Sequence, residues 1–196
     1  VKMTNEPPKG LRANLMNAYY KLDDEKLGIT TKPLAYKKLL FSLSFFHAIV
    51  QDRVKFGPLG WNIPYAFNDT DLEISKAQME MFLDIYDEIP YKVLQFLTNY
   101  INYGGRVTDA IDLRTIDVIM RVFFPEDGAV MKDDYKFSGS GLYYSVGVPE
   151  EGSAHQEYVD YIIKPSYTMH QNMGILHTTI TGEQLESDMS FRNFFS

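Results

Sequence analysis

The sequence predicts a mainly α-helical fold, and three observations support that prediction. Apolar residues recur at helical spacing through most of residues 10–124. Proline, glycine and helix-capping residues divide this stretch into segments of helix length with short connections between them. The 14 tyrosines and 13 phenylalanines among the 196 residues indicate large packed surfaces between those helices. From residue 126 onward the pattern becomes irregular and predicts only a little β structure.

The first 33 residues predict one strand and one helix. Residues 1–4 are the strand candidate, which Pro7 and Pro8 close because proline cannot continue a hydrogen-bonded ladder. The helix begins near Gly10 and runs through the stretch LRANLMNAYYKL. 

The longest predicted helix spans residues 34–56 and follows Pro33. It is apolar on most of its circumference, so we expect it to be buried. Gly57 and Pro58 end it and open a loop, residues 55–72, that contains the only tryptophan, Trp61. We call this loop the elbow, because we expect Trp61 to pack back on the helices and hold the turn rigid.

A helix at 71–87 follows the elbow. Thr70 and Glu73 have the spacing of a capping box, in which each side chain satisfies an unpaired backbone amide. Helix capping also accounts for the nearby acids Asp69 and Asp71 more simply than a cation site does. We expect the apolar side chains to form the buried face of this helix, namely Ile74, Ala77, Met81, Phe82 and Ile85.

Two more helices complete the regular part of the chain. One spans 91–103 and ends at the Gly104-Gly105 pair. The other spans 110–124, with Thr108 or Asp109 as its cap and Pro125 as its stop.

The remaining residues predict less structure. Residues 126–152 are rich in Gly, Asp, Ser and Pro and predict an irregular segment with one short hairpin. Further helices are predicted at 154–163 and 182–194.

Composition excludes several classes of function. A formal charge of −7 argues against a nucleic-acid partner, and the absence of cysteine excludes disulfides and thiolate metal sites. No apolar run approaches the ~20 residues of a membrane span, so we expect a soluble chain without a membrane partner. The sequence has no phosphate-binding P-loop, and its four histidines are too dispersed to predict a metal site. We therefore predict no catalytic, cofactor-binding or metal-binding residue in it.

His47 and Arg106 remain as individual candidates. His47 lies in the predicted buried helix without a carboxylate at helical spacing, which favours a core histidine with one satisfied nitrogen over a catalytic base. Arg106 lies between a glycine helix stop and a helix cap, where it could contact an anion or a neighbouring subunit. An internal ion pair with Asp109 or Asp112 is at least as good an interpretation of Arg106. For Arg12 and Arg53 we favour structural salt bridges.

Three stretches resemble the C-terminal part of a dynein heavy chain motor. They are VKMTNEPPKGLRANL, FFHAIVQDRVKFGPLGWNIPYAFNDTDL and NYGGRVTDAIDLR, which occur in the same order and at similar spacing. The resemblance covers nearly the whole chain and is greatest to axonemal heavy chains.

The resemblance implies a piece of a ring of six AAA+ modules. Residues 1–33 would end the large subdomain of the sixth module, residues 34–178 would form its helical lid, and residues 179–196 would begin the C-terminal domain. Arg106 is in a place similar to that of the sensor-2 arginine, which touches nucleotide in active modules. The sixth module of the family binds no nucleotide, so the resemblance implies a structural or inter-module role for Arg106.

The function implied by the resemblance is that of a non-catalytic ring module in an ATP-driven, minus-end-directed microtubule motor of cilia and flagella. ATP and Mg would be bound by other modules of the parent chain. The partners would be neighbouring modules and the C-terminal domain, and, through the parent, microtubules and dynein light and intermediate chains. A free-standing helical adaptor that binds a protein through an aromatic surface is the alternative. An enzyme that uses His47 would require a carboxylate within hydrogen-bond reach in a cleft.

Overall fold

The computed structural model of the chain describes residues 10–20, 22, 30–133, 135–139, 141 and 143–145. Within these ranges there are five α-helices: α1 (Leu11–Tyr20), α2 (Pro33–Asp52), α3 (Asp69–Ile85), α4 (Tyr91–Phe96) and α5 (Ala110–Phe123). A π-helix covers Leu97–Tyr103, and 3-10 turns cover Arg53–Leu59, Gly104–Arg106 and Ala129–Met131. The predicted mainly α-helical class is confirmed.

The centre of the fold is α2, against which α1, α3 and α5 pack. Pro33 occupies its first turn, where the missing N–H would have had no helical partner. Every residue from 38 to 50 is buried, as the apolar circumference predicts. Among the polar exceptions, Ser42 has a partner, because its hydroxyl donates to the Phe123 carbonyl at 2.5 Å. The helix is shorter than the predicted 34–56, because the chain tightens into a 3-10 turn after Asp52.

The start and the buried face of α3 differ from prediction. Its N-cap is Asn68, whose N–H donates to the Asp71 carboxylate at 2.9 Å, so the predicted Thr70–Glu73 capping box is wrong. The side chain of Glu73 pairs instead with Lys76. The predicted apolar face is also wrong for its exposed members, namely Ile74, Ala77, Met81 and Ile85. The residues buried on α3 are Asp71, Leu72, Ser75, Lys76, Met79 and Leu83.

The helix predicted at 91–103 is not uniform. It is an α-helix only to Phe96 and then widens into the π-helix, before the short turn at Gly104–Arg106. Widening of this kind is rare in proteins and commonly changes where the following side chains point. The next helix, α5, is capped by Asp109, as predicted, because its carboxylate accepts the N–H groups of Ile111 and Asp112.

The irregular segment after α5 is joined to the core. Phe137 is 2% exposed, and its ring centroid lies 4.7 Å from that of Phe123 and 5.5 Å from that of Phe45. Lys136 and Tyr144 form an isolated antiparallel bridge where the short hairpin was predicted, but the described residues contain no strand, so the hairpin stays a prediction.

Three predicted elements lie outside the described residues, namely the strand at 1–4 and the helices at 154–163 and 182–194. In the part of the chain that is described, no helix is both long and apolar enough to cross a membrane.

Candidate functional site

Arg106 joins the end of one helix to the start of another. Its Nε and Nη2 donate to Oδ1 of Asp71 at 3.0 and 2.9 Å, while Oδ2 of Asp71 accepts the Asn68 N–H. The Asp71 side chain is 6% exposed and that of Arg106 is 41% exposed, so one edge of the guanidinium remains open to solvent. An internal ion pair was one interpretation of Arg106, but its partner is Asp71 rather than Asp109 or Asp112.

His47 is buried in α2, and one of its ring nitrogens is satisfied. Its Nδ1 lies 2.8 Å from the Tyr103 hydroxyl, and its Nε2, which has no hydrogen-bond partner among the described residues, lies 3.8 Å from Asp69 Oδ1. Burial lowers the pKa of His47 to about 4, against the opposing charges of Asp69 and Asp71. Burial also raises the pKa of Tyr103 well above its ordinary value. The His47 ring and the Tyr103 hydroxyl are therefore both neutral at pH 7, which fits the predicted core histidine with one satisfied nitrogen.

Trp61 holds the elbow against the core. It is 2% exposed, and its indole N–H donates to the Val50 carbonyl at 3.2 Å. Its ring centroid lies 5.9 Å from that of Tyr65 and 5.6 Å from that of Phe67, and the Arg53 guanidinium lies 5.0 Å from it. Trp61, Tyr65 and Phe67 thus form an aromatic cluster in the elbow, and Arg53 adds a cation–π contact to it.

Arg53 stabilises the same turn from the end of α2. Its Nη2 and Nε donate to the Gly60 carbonyl at 2.7 and 3.2 Å. Burial lowers the pKa of Arg53 to about 10, with the charge of Asp112 opposing, so the guanidinium stays charged at pH 7. A Cβ at Gly60 would lie 1.9 Å from the Arg53 carbonyl oxygen, so only glycine allows this close approach.

Two carboxylates at the start of α5 fasten the elbow. Asp112 accepts the N–H groups of Asn62 and Ile63 at 3.0 and 3.3 Å. Asp109, besides capping α5, accepts the Asn62 side-chain amide at 3.1 Å. These bonds make the elbow and the first turn of α5 one unit. Arg12, by contrast, is half-buried on α1, away from this cluster along the chain, and its structural salt bridge stays a prediction.

A cavity of about 820 Å³ lies between α1, the end of α2 and the start of α3. Among its described lining residues the only basic side chain is Lys55, whose Nζ lies 2.5 Å from the Asp52 carboxylate. The phosphate groups of a nucleoside triphosphate are bound by several backbone N–H groups and free cations. The described lining holds no cluster of cations, because its one basic side chain is already paired with Asp52.

The arrangement offers little for catalysis. His47 is neutral, and its Nδ1 is hydrogen-bonded to the Tyr103 hydroxyl. The Asp69 carboxylate oxygen lies 3.8 Å from its Nε2, beyond hydrogen-bond distance. The described residues contain no group of three His, Asp or Glu side chains that could hold a metal ion. The contacts instead join helix ends that are far apart in sequence.

The sequence identified the candidate residues Arg106 and His47 but not the residues that they contact. Asp71 was assigned to capping alone, and Tyr103 and Asp112 were not singled out as contacts of His47 and the elbow. Each contact joins residues 35 to 56 positions apart, such as Arg106 to Asp71 and His47 to Tyr103. Local spacing holds no signal for such pairs. The one available hint was the presence of an aromatic residue, Tyr103, directly before the Gly104 helix stop.

The described part of the chain has five α-helices with the largely buried α2 at the centre, and side-chain bonds join several of their ends, which defines a helical structural module. A family model described as the dynein heavy chain AAA lid domain matches residues 36–180. The chain therefore belongs to the dynein heavy chain AAA lid domain family.

Individual relatives are axonemal heavy chains. The chain is 45% identical over 184 residues to dynein axonemal heavy chain 12 of Mus musculus, covering 92% of this chain and 6% of the relative. It is 43% identical over 196 residues to dynein axonemal heavy chain 3 of Homo sapiens, covering 97% and 5%. It is 49% identical over 145 residues to human dynein axonemal heavy chain 1, covering 74% and 3%. The chain thus spans only a small part of the length of these relatives.

Proposed function

We propose that this chain is a lid module of an axonemal dynein heavy chain and that it transmits conformational change without hydrolysing ATP itself. The parent would be an ATP-driven, minus-end-directed microtubule motor in the axoneme of cilia and flagella. The module would be the sixth of the AAA+ ring, and ATP and Mg would bind to other modules. Its direct partners would be neighbouring modules and the C-terminal domain, with light and intermediate chains associated through the parent.

The observation that carries this proposal is the set of side-chain bonds between helix ends. Tyr103 bonds to His47 of α2, and Arg106 bonds to Asp71 of α3. Each bond is at least partly buried and joins different helices, so the helices resist independent movement. A module locked in this way moves as a rigid body, which is how packed domains pass a displacement from one neighbour to another.

The chemistry of the site supports a role without catalysis. Arg106, which occupies a place similar to that of a nucleotide-sensing arginine, already binds Asp71 through Nε and Nη2. Releasing it for a phosphate would leave the Asp71 carboxylate, 6% exposed, without its counter-charge. We infer that Arg106 fixes the angle between the π-helix and α3.

The adaptor alternative receives less support. It relied on the richness in aromatic residues, but many of the described aromatic side chains are fully buried, namely Tyr19, Tyr36, Tyr103, Phe41, Phe45, Phe46, Phe123, Phe124 and Phe137. Much of the aromatic content therefore goes into the core, while Tyr20, Tyr86, Phe96 and Tyr100 are exposed.

Two measurements test the proposal. Calorimetric titration of the 196-residue chain with Mg-ATP should give no heat of binding. In the parent heavy chain, Arg106→Ala should lower microtubule gliding speed several-fold while leaving ATP affinity unchanged. Arg114→Ala, at an exposed position on α5, is the matched control and should leave both unchanged. Stoichiometric ATP binding by the chain that disappears in Arg106→Ala would refute the proposal.

A further inference from the structure

Tyr86 lies in the short connection between α3 and α4, outside any helix. Its backbone is extended, with φ −101° and ψ 138°, and the residue is 45% exposed. Every residue from 84 to 88 is exposed. The Tyr86 ring stacks on Phe82 of α3, with the two ring centroids 5.9 Å apart. Its hydroxyl makes no hydrogen bond to a described residue and is therefore open to reaction.

The other described tyrosines do not combine these properties. Tyr20 and Tyr100 are also exposed, but Tyr20 ends α1 and Tyr100 lies within the π-helix. The remaining described tyrosines are buried or half-buried. An enzyme that modifies a side chain must enclose the segment that carries it, and a connection between helices allows this without unwinding a helix.

Acidic side chains flank Tyr86 on both sides. Asp84 lies two residues before it, and Asp87 and Glu88 follow it directly. The next residue, Ile89, is half-buried and apolar. A segment of this kind is complementary to an enzyme whose substrate groove is basic, because opposite charges attract and orient the two partners.

We propose that Tyr86 is a phosphorylation site for a protein tyrosine kinase with a basic substrate groove. The Tyr86 Oη attacks the γ-phosphorus of ATP bound to the kinase. The bond between the γ-phosphorus and the β–γ bridging oxygen breaks, ADP leaves, and the phenolic proton passes to the catalytic base of the kinase. The kinase supplies the nucleotide site, so the step requires none in this chain.

The residues next to Tyr86 tie the end of α3 to the segment before α2. The Thr31 N–H and hydroxyl donate to Oδ1 of Asp84 at 2.8 and 3.0 Å. The Lys32 ammonium donates to the carbonyls of Leu83 and Tyr86 at 2.7 and 2.6 Å. These last bonds satisfy carbonyl groups that a helix leaves without partners at its C-terminal end.

Phosphorylation of Tyr86 acts against this tie. The phosphate adds a charge of about −1.5 to −2 at pH 7, beside the negative end of the α3 dipole. Three acids lie within two residues of Tyr86, against the one ammonium group, that of Lys32, in the bonds described above. Repulsion therefore dominates, and the bond from the Tyr86 N–H to the Phe82 carbonyl, 3.2 Å long, opens more often. The consequence for force transmission rests on the proposed function, because a module with a loosened α3 no longer moves as one body.

Phosphorylation of the 196-residue chain tests the site. The probe is a tyrosine kinase domain that phosphorylates glutamate–tyrosine copolymer, supplied with Mg-ATP, and mass spectrometry locates the phosphate. Tyr86 should be modified at least tenfold faster than Tyr20 or Tyr100, and Tyr86→Phe should remove most of the incorporated phosphate. Equal rates at the three tyrosines would overturn the proposal.

Two matched double variants test the role of the acids. Asp87→Asn with Glu88→Gln should slow modification of Tyr86 at least tenfold. Glu126→Gln with Asp127→Asn removes two exposed acids from the turn after α5 and should leave the rate unchanged. Equal rates in the two double variants would overturn recognition through the acidic flank.

Hydrogen exchange tests the effect on α3. The Tyr86 and Thr31 N–H groups should exchange at least fivefold faster in the phosphorylated chain, while the Phe45 N–H in the middle of α2 should not change. Unchanged exchange at Tyr86 would overturn the loosening of α3.

The purified heavy chain tests the site in its parent. The same kinase domain should modify Tyr86 and slow microtubule gliding, and Tyr86→Phe should prevent the slowing. An unmodified Tyr86 in the heavy chain, or gliding that is slowed equally in Tyr86→Phe, would overturn the regulatory role. ATP binding by the 196-residue chain would refute the proposed function but would leave the position of the phosphate unaffected, so the two failures are distinguishable.

Discussion

The indole N–H of Trp61 donates to the carbonyl of Val50 at 3.2 Å. Val50 lies in the last turn of α2, where the α-helix gives way to the 3-10 turn that begins at Arg53. The tryptophan thus caps the helix that precedes the elbow while its ring packs on Tyr65 and Phe67 within the elbow. One side chain ends the central helix and sets the direction in which the chain leaves it.

Replacement of Trp61 with alanine should destabilise the chain strongly. The substitution removes a side chain that is 2% exposed, which costs about 3–5 kcal/mol for a large aromatic residue in a core. Trp61→Phe keeps most of the packing and loses the bond to Val50, so we expect a cost of about 1–3 kcal/mol. Urea unfolding measures both. Leu59→Ala, 84% exposed in the same loop, is the control and should change stability little. Unchanged stability of Trp61→Ala would mean that Trp61 serves a neighbouring subdomain instead.

The stability of the chain should fall as the pH falls from about 6.5 towards 4. Burial holds the pKa of His47 at about 4, whereas an unfolded histidine titrates near 6.5. Between these values the unfolded state binds the proton that the folded state refuses, so protonation favours unfolding. The loss from His47 approaches about 3 kcal/mol at the acid end of this range.

Urea unfolding between pH 7.5 and 4.5 measures that loss, and His47→Gln should remove most of the slope over this range. NMR titration of the His47 ring in the folded chain should give a midpoint well below 6. A midpoint near 6.5, or a slope that persists in His47→Gln, would show that His47 is not the group responsible.

Local signals in the sequence were sufficient to predict where the helices lie. They were insufficient to predict which face of each helix is buried. The periodicity and the Pro33 and Gly57 signals predicted α2 to within four residues at its end. On α3 the same periodicity offered two faces, and the more apolar one, with Ile74 and Met81, is the exposed one. The face with polar Ser75 turns inward because Asn102 and the Asp71 carbonyl are there to bond it.

Contacts that depend on tertiary structure could not be predicted. Phe137 lies in a segment whose composition predicts irregular structure and one short hairpin, yet its ring stacks on Phe45 and Phe123 in the core. The π-helix has no signature in local sequence either. Its i to i+5 bond, from the Gly104 N–H to the Asn99 carbonyl, becomes favourable once Asn99 and Tyr103 have partners on α5 and α2.

The two glycines at the end of the π-helix, Gly104 and Gly105, differ in how much space they have for a side chain. A Cβ at Gly104 would lie 2.4 Å from the Asn99 carbonyl oxygen and 3.2 Å from Leu113 Cδ1, whereas a Cβ at Gly105 would meet nothing within 4 Å. Neither residue has a positive φ, so backbone strain does not separate them. Gly104→Ala should therefore destabilise the chain by about 1–3 kcal/mol through overpacking. Gly105→Ala should stabilise it by about 0.4–1 kcal/mol, because it restricts the unfolded chain.

Urea unfolding of the two variants measures this difference of sign. Hydrogen exchange should also show faster exchange of the Gly104 region amides in Gly104→Ala, because the bond to Asn99 closes the π-helix. Equal effects of the two substitutions would contradict the close approach at Gly104. In that case the π-helix would have to end by a bond other than the one from the Gly104 N–H to the Asn99 carbonyl. The positions of Tyr103 and Arg106 could then no longer be explained by that bond.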